Sequence, residues 1–251
     1  MKYITGFFVL IWRIWMILLA GSYVLTIGVF IVLPLAYFDR TFPYIYPFIR
    51  YWGKFVLYGT GFRIDYQKMV PLNPKEKYIF IANHTSIMDI MLMLTILKHH
   101  PIVFVGKAEL LKIPIFGRIF NRICIPVDRR SAKSKAHVYP EAKKKLDQHL
   151  SIFIFPEGGV TDEKEFEIYL DPFKDGAFNI AIETQTPIAV LAIHGLNKMF
   201  PFNWFRGYPG KIHVRLLATL ETNGLEVKKD KAALKSTAYE LILKELEQCK
   251  N

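Results

Sequence analysis

The segment Asn83-His84-Thr85-Ser86-Ile87-Met88-Asp89 sets an imidazole five positions ahead of a carboxylate. A histidine whose ring is held by an aspartate takes a proton from an alcohol, the work of a general base. The pair alone is weak evidence: with seven histidines in the chain, chance produces one such spacing in about one sequence in four. Its position adds weight. The apolar run Tyr78 to Ala82 reads as a strand and a helical pattern follows from Ser86, so His84 falls in a strand-to-helix turn, where α/β sheets place their ligands. Five residues along one helix rotate by about 140°, which would part the two side chains. With His84 ahead of the helix and Asp89 in its first turns, they meet. Ser86 suits an N-cap, and no G-x-S-x-G elbow surrounds it as a nucleophile.

Two further segments carry chemistry. Phe155-Pro156-Glu157-Gly158-Gly159-Val160-Thr161 follows the apolar strand pattern from Ser151. Its glycines let backbone N–H groups approach an anion or an acyl oxygen, and Glu157 is placed to orient a substrate hydroxyl or a basic neighbour. A glycine turn closing a buried strand has the same composition, and that plainer reading stays open. Between Lys107 and Lys145, eleven basic residues face only Glu109, Asp128 and Glu141. Arg129 has the planar fork that grips phosphate at two points, although solvated surface accounts for many such residues singly.

The bulk of the chain says where such chemistry would take place. Hydrophobic residues make up 52% of 251, and the net charge is +11. A basic, apolar chain is drawn either to nucleic acid or to an anionic lipid surface. The N-terminus decides between them. From Ile14 to Phe38 there are 25 residues without a charge, which as a helix would reach about 37 Å against a hydrocarbon core of about 30 Å. Apolar residues continue up to Pro34 with no small-residue cleavage site, so a removed signal peptide is not expected. Thr41 to Tyr58 is rich in Tyr, Phe and Trp and reads as a second apolar helix near the membrane interface. Lys2 and Arg13 precede the apolar run, while Arg40, Arg50, Lys54 and Arg63 follow it, placing the remaining chain on the cytoplasmic side. No aromatic-basic module for nucleic acid accompanies the charge. Cys124, in an apolar strand pattern, and Cys249 form no CxxC spacing, so neither a disulfide framework nor a metal site is expected.

These residues need a frame to hold them. Beyond Gly61 the pattern alternates between strand and helix. Strands are expected near Arg63–Tyr66, Tyr78–Ala82, Ile102–Val105, Ile123–Val127, Ser151–Phe155, Ile188–His194 and Lys211–Leu220. Helices are expected near Ser86–Leu97, Ile115–Arg122, Tyr139–Leu150, Asp175–Glu183 and Lys231–Gln248. Pro140 suits a first helical turn, so Ser131 to His137 is expected to be separate or kinked. The fold class is α/β, a single mixed-sheet domain over residues 61–251, with apolar membrane-associating helices over residues 1–60.

Taken in order, Asn83-His84-x4-Asp89, the Gly117 to Arg129 segment ending Val127-Asp128-Arg129, Phe155-Pro156-Glu157-Gly158, and Thr186-Pro187-Ile188 entering a strand resemble the glycerolipid acyltransferases. The likeness is to the 1-acylglycerol-3-phosphate acyltransferase branch and covers about Tyr58 to Leu220. It implies transfer of a fatty acyl group from acyl-CoA or acyl-acyl carrier protein to the free hydroxyl of a lyso-glycerolipid, 1-acyl-sn-glycerol-3-phosphate giving phosphatidic acid, without a cofactor. His84 would be the base and Asp89 its orienting partner. Arg129 would contact the acceptor phosphate, with Lys107 as a supporting cation, and Glu157 and Gly158 would help bind the acceptor. The family usually continues its Glu-Gly with threonine and then arginine or serine, where this chain has Gly159 and Val160. Another monoacyl lipid, such as a lyso-amino-acid lipid, therefore stays open as acceptor. A non-enzymatic, membrane-anchored basic adaptor is the reading from a different class.

Overall fold

The computed structural model describes residues 2–38, 41–160 and 170–248; Arg40, Thr161 and Cys249 lie outside them, as does the side chain of Lys2. The chain begins with α1 (Lys2–Tyr23), which runs directly into a π-helical stretch (Val24–Val32) and the short α2 (Leu33–Leu35). Pro34 cannot donate to the turn before it, and it stands where wide π turns have already broken the regular ladder. Gly6–Leu35 is long and apolar enough to cross a membrane by length and composition, with a mean hydropathy of 2.5. The helix is not free-standing. Arg13, Met16, Leu19, Gly28 and Val32 are buried, and a Cβ on Gly28 would come within 3.0 Å of Ile119. The opposite face leaves Phe7, Phe8, Ile14, Trp15, Leu18 and Phe30 exposed.

Next come α3 (Phe42–Gly59), β1 (Arg63–Lys68), β2 (Ile79–Ala82) and α4 (Met88–Ile96). β3 (Ile102–Lys107) leads through a 3-10 turn (Ala108–Lys112) to α5 (Phe116–Ile123), β4 (Ile125–Val127) and α6 (Ala132–Asp147). The chain then forms β5 (Ser151–Ile154), α7 (Gly176–Glu183), β6 (Ile188–His194) and the short α8 (Leu196–Met199). It ends in β7 (Lys211–Leu220) and α9 (Val227–Gln248).

Seven strands form one sheet in the order β1-β7-β6-β2-β5-β3-β4. All neighbours are parallel except β6 and β7, so the sheet is mixed, as expected. From β2 the chain crosses to β3 and β4 in one direction, then returns to β5 and β6 in the other. Right-handed crossovers therefore put α4 and α5 on one face and α6 and α7 on the opposite face. Both faces of the centre are covered, which is why β2 reads as an unbroken apolar run with every residue buried. β2 and β5 lie side by side at the point where the winding reverses, and α/β sheets open a ligand crevice at the strand ends there.

Two expectations need correction. Ser131 to His137, expected to be separate or kinked, is not separate: Ser131 caps α6, which is continuous from Ala132 with Pro140 inside it. Ser131 accepts the Ser134 N–H as the N-cap, and packing of Val138, Ala142 and Leu146 into the core offsets the bond that Pro140 cannot make. Cys124 lies at the C-terminal cap of α5, not in a strand, because the helix runs on to Ile123 and leaves β4 only three residues.

Candidate active site

His84 follows the last residues of β2, and Phe155 to Gly158 follow β5. The register Ile79↔Ile152, Phe80↔Phe153 and Ile81↔Ile154 brings the two segments level. Asn83, fully buried, extends the neighbouring ladder: its amide donates to the Ile193 carbonyl at 2.9 Å and accepts the Ile193 N–H at 2.8 Å. The backbone leading into His84 is thereby fixed.

His84 Nδ1 lies 2.8 Å from Asp89 Oδ2, with the histidine side chain 16% exposed and the aspartate at 0%. The same oxygen accepts the Thr85 N–H at 2.7 Å and the Ser86 N–H at 2.9 Å. Asp89 sits in the first turn of α4, where the helix dipole favours a negative charge. Its Oδ1 is buried without a hydrogen-bond partner among the described residues. With Nδ1 facing the carboxylate, Nε2 is the ring nitrogen turned away from it. The Phe155 ring stacks on the imidazole at 4.0 Å between centroids, 14° from parallel. Ser86 is buried, and its hydroxyl donates to the Phe200 carbonyl at 2.7 Å.

Glu157 is turned inward. One carboxylate oxygen accepts the His84 N–H at 2.5 Å and the other accepts the Asp171 N–H at 2.9 Å. This geometry holds the backbone of the turn that carries His84 and Asp89. Gly158 adopts φ +81°, a conformation that favours glycine. Its carbonyl accepts a hydrogen bond from Arg129, and a Cβ at that position would run into Lys174 at 2.5 Å. Burial pulls the Arg129 guanidinium pKa below its ordinary value, with Glu109 opposing, so its charge is poorly solvated and favours an anion.

Arg129, Lys135 and Lys174 line one cavity of about 400 Å³ between α6 and α7, with Glu183 as the acidic residue in the lining. Its floor is apolar, formed by Val105, Val127, Ile154 and Ile180, and Phe155 joins it to His84. Asn179 also lines it, with a buried Oδ1 that has no hydrogen-bond partner among the described residues. Lys107 is exposed at the end of β3, in register with Val127, and does not line this cavity. Lys135 and Lys174 were not singled out from sequence. Lys135 stood out only as one of the eleven basic residues between Lys107 and Lys145, and Lys174 reaches Gly158 only through the fold.

A family model described as Acyltransferase matches residues 63–194, and the chain belongs to that family. The 1-acyl-sn-glycerol-3-phosphate acyltransferase alpha of Ovis aries is 28% identical over 173 residues, covering 68% of this chain and 58% of that protein. The chloroplastic 1-acyl-sn-glycerol-3-phosphate acyltransferase BAT2 of Brassica napus is 28% identical over 167 residues, covering 65% of this chain and 46% of that one. The chain thus spans about half of the length of these relatives. The crystal structure of the 1-acyl-sn-glycerophosphate acyltransferase PlsC from Thermotoga maritima has the same fold, with a TM-score of 0.78 at 22% identity over 100% of this chain and 98% of that one.

Proposed function

We propose that the chain moves a fatty acyl group from acyl-CoA or acyl-acyl carrier protein to the free hydroxyl of 1-acyl-sn-glycerol-3-phosphate, forming phosphatidic acid. The observation that carries this is the buried His84–Asp89 contact of 2.8 Å, set beside an apolar cavity with three cations in its lining. The relatives' names point to the same acceptor.

His84 Nε2 takes the proton of the acceptor hydroxyl as its oxygen attacks the thioester carbonyl carbon. The carbon–sulfur bond then breaks, and the leaving thiolate takes the proton back from the imidazolium. Asp89 holds the tautomer and stabilises the transient positive charge. Glu157 acts on the backbone of His84 as a positioning residue. Arg129, Lys135 and Lys174 receive the acceptor phosphate, with Lys107 outside the cavity at the end of β3. Gly159 and Val160 offer no cation; the two lysines supply it from α6 and from the segment before α7, which favours a phosphate-bearing acceptor over a lyso-amino-acid lipid.

The helices through residue 60 serve as the membrane platform for the α/β domain of residues 61–251, on the cytoplasmic side. The buried stripe of α1 and its π-helical extension favours insertion into one leaflet with the outer face in lipid, not a free crossing. The adaptor reading would leave the His84–Asp89 contact and the cationic cavity without a use.

The test is a panel of lyso-lipids offered to the purified protein with acyl-CoA and with acyl-acyl carrier protein. Lysophosphatidate should be converted fastest. Arg129→Ala and Lys174→Ala should each raise the acceptor KM more than the thioester KM. A preference for an uncharged or zwitterionic acceptor would overturn the phosphate assignment, and no acyl transfer to any acceptor would overturn the enzyme reading.

A further inference from the structure

The segment after α8 is built around aromatic residues that face outward. Phe202, Trp204, Phe205 and Tyr208 are 48%, 48%, 62% and 54% exposed. The segment is a closed loop. The Tyr208 N–H donates to the Met199 carbonyl at 2.9 Å, and Gly207, at φ +130°, makes the return turn where a Cβ would meet that carbonyl at 2.7 Å. Asn203 ties the tip by accepting the Phe205 N–H at 3.0 Å.

Arg13 fastens this loop to α1. It is a charge within the apolar stretch Gly6–Leu35 and is only 3% exposed. Its Nη2 donates to the Pro201 and Arg206 carbonyls, both at 2.6 Å, and its guanidinium lies 4.3 Å from the Phe200 ring centre. A charge held inside an apolar surface needs such carbonyl partners. On the other side, the Phe200 carbonyl accepts the Ser86 hydroxyl at 2.7 Å, within the turn that joins His84 to Asp89. Phe205 lies against Gly6, so its exposed ring continues the outward face of α1 that carries Phe7, Phe8 and Ile11.

We infer that the aromatic loop from Phe202 to Tyr208 is a second membrane-contacting element, clamped to α1 by Arg13, that seats the His84–Asp89 turn at the surface of a phospholipid bilayer. The inference rests on the reading above that α1 lies in lipid. Continuity with α1 identifies the partner: Trp and Tyr settle at the headgroup boundary and Phe just below it, and exposed Lys198 beside the loop suits an anionic surface. A bilayer contact here would bring the acceptor hydroxyl to His84 laterally, without the acceptor leaving lipid.

Spin labels test it on the full chain with Cys249→Ser. Native Cys124, half-buried at the end of α5, is also replaced by serine. Labels are placed singly at Phe202→Cys in the loop, Trp15→Cys on α1 and Lys229→Cys on α9, and collisions with oxygen and with a water-soluble nickel chelate are compared on phosphatidylcholine–phosphatidylglycerol vesicles. The inference expects residues 202 and 15 to favour oxygen while residue 229 stays open to the chelate. If residue 15 is inserted and residue 202 stays in water, the inference fails and the membrane reading stands. If neither inserts, both fail. Shielding of residue 202 without vesicles, growing with protein concentration, would assign the loop to a second copy and overturn the inference. As a second readout, Trp204→Ser with Phe205→Ser should raise the ratio of vesicle-borne to detergent-dispersed acceptor KM by about three- to tenfold, from the apolar area withdrawn from lipid. An unchanged ratio would also overturn it.

Discussion

At the scale of residues, the centre of the site is one carboxylate oxygen with three partners: the His84 ring and the Thr85 and Ser86 N–H groups all converge on Asp89 Oδ2. Asp89→Asn keeps an amide oxygen for the two backbone donors but loses the charge that supports an imidazolium. We predict that its turnover falls at least about a hundredfold while the circular dichroism spectrum is unchanged. The pair was legible in the sequence because it is local, one strand end followed by one helical turn. Lys174 was not, since nothing in its neighbourhood along the chain marks it and only the return from β5 lays it on Gly158. A second prediction concerns histidines outside the site. Burial holds the pKa of both His100 and His194 below the ordinary 6.5, with Glu76 and Glu245 opposing. As pH falls below about 6.5 the unfolded chain takes up these protons first, so this part of the stability is full above that pH and is lost on acidification. Urea unfolding of His100→Gln should therefore show a shallower loss of stability between about pH 6.5 and 5 than the natural chain, whatever its stability at neutral pH. An equally steep loss would remove the buried neutral imidazole from the account.

At the scale of elements, the site depends on close backbone approaches. Gly117 opens α5 against the 3-10 turn before it: a Cβ there would lie 2.2 Å from the Leu111 carbonyl oxygen, a backbone atom that cannot swing aside. We predict that Gly117→Ala destabilises the fold by about 1–3 kcal/mol in chemical denaturation. It should also lower activity through the Lys107 to Arg129 segment; wild-type stability would contradict the packing. Pro140 was the misleading element signal. Read locally, it ends or begins a helix, yet α6 carries it in its interior because the apolar stripe Val138, Ala142, Leu146 outweighs one missing hydrogen bond. The central strands were readable as apolar runs, and the polar β1 and alternating β7 by their pattern, with ends within a few residues of those observed. Their order was not, because β5 inserting between β2 and β3 is a long-range pairing that no local pattern records. That insertion is what lays Phe155 and Glu157 beside His84.

At the scale of the molecule, the apolar helices and the closed aromatic loop flank the turn that joins His84 to Asp89, and the basic stretch supplies charge. The sequence announced the greasy N-terminus and the excess of cations; it was silent on how Arg13 ties α1 to the segment beside the His84–Asp89 turn, since its partners lie at Pro201 and Arg206. Anionic headgroups contribute about 1 kcal/mol per nearby basic residue and are screened by salt, whereas buried apolar area is not. The protein should therefore stay on phosphatidylglycerol-containing vesicles in molar salt, with association merely slowed, in a flotation assay. Complete release would show that charge alone holds it there. The most direct measurement of the whole account is turnover of His84→Ala, reconstituted in such vesicles, with lysophosphatidate and a thioester donor. The account predicts a fall of at least about a hundredfold with folding and vesicle binding retained. Near-normal turnover by that variant would contradict it.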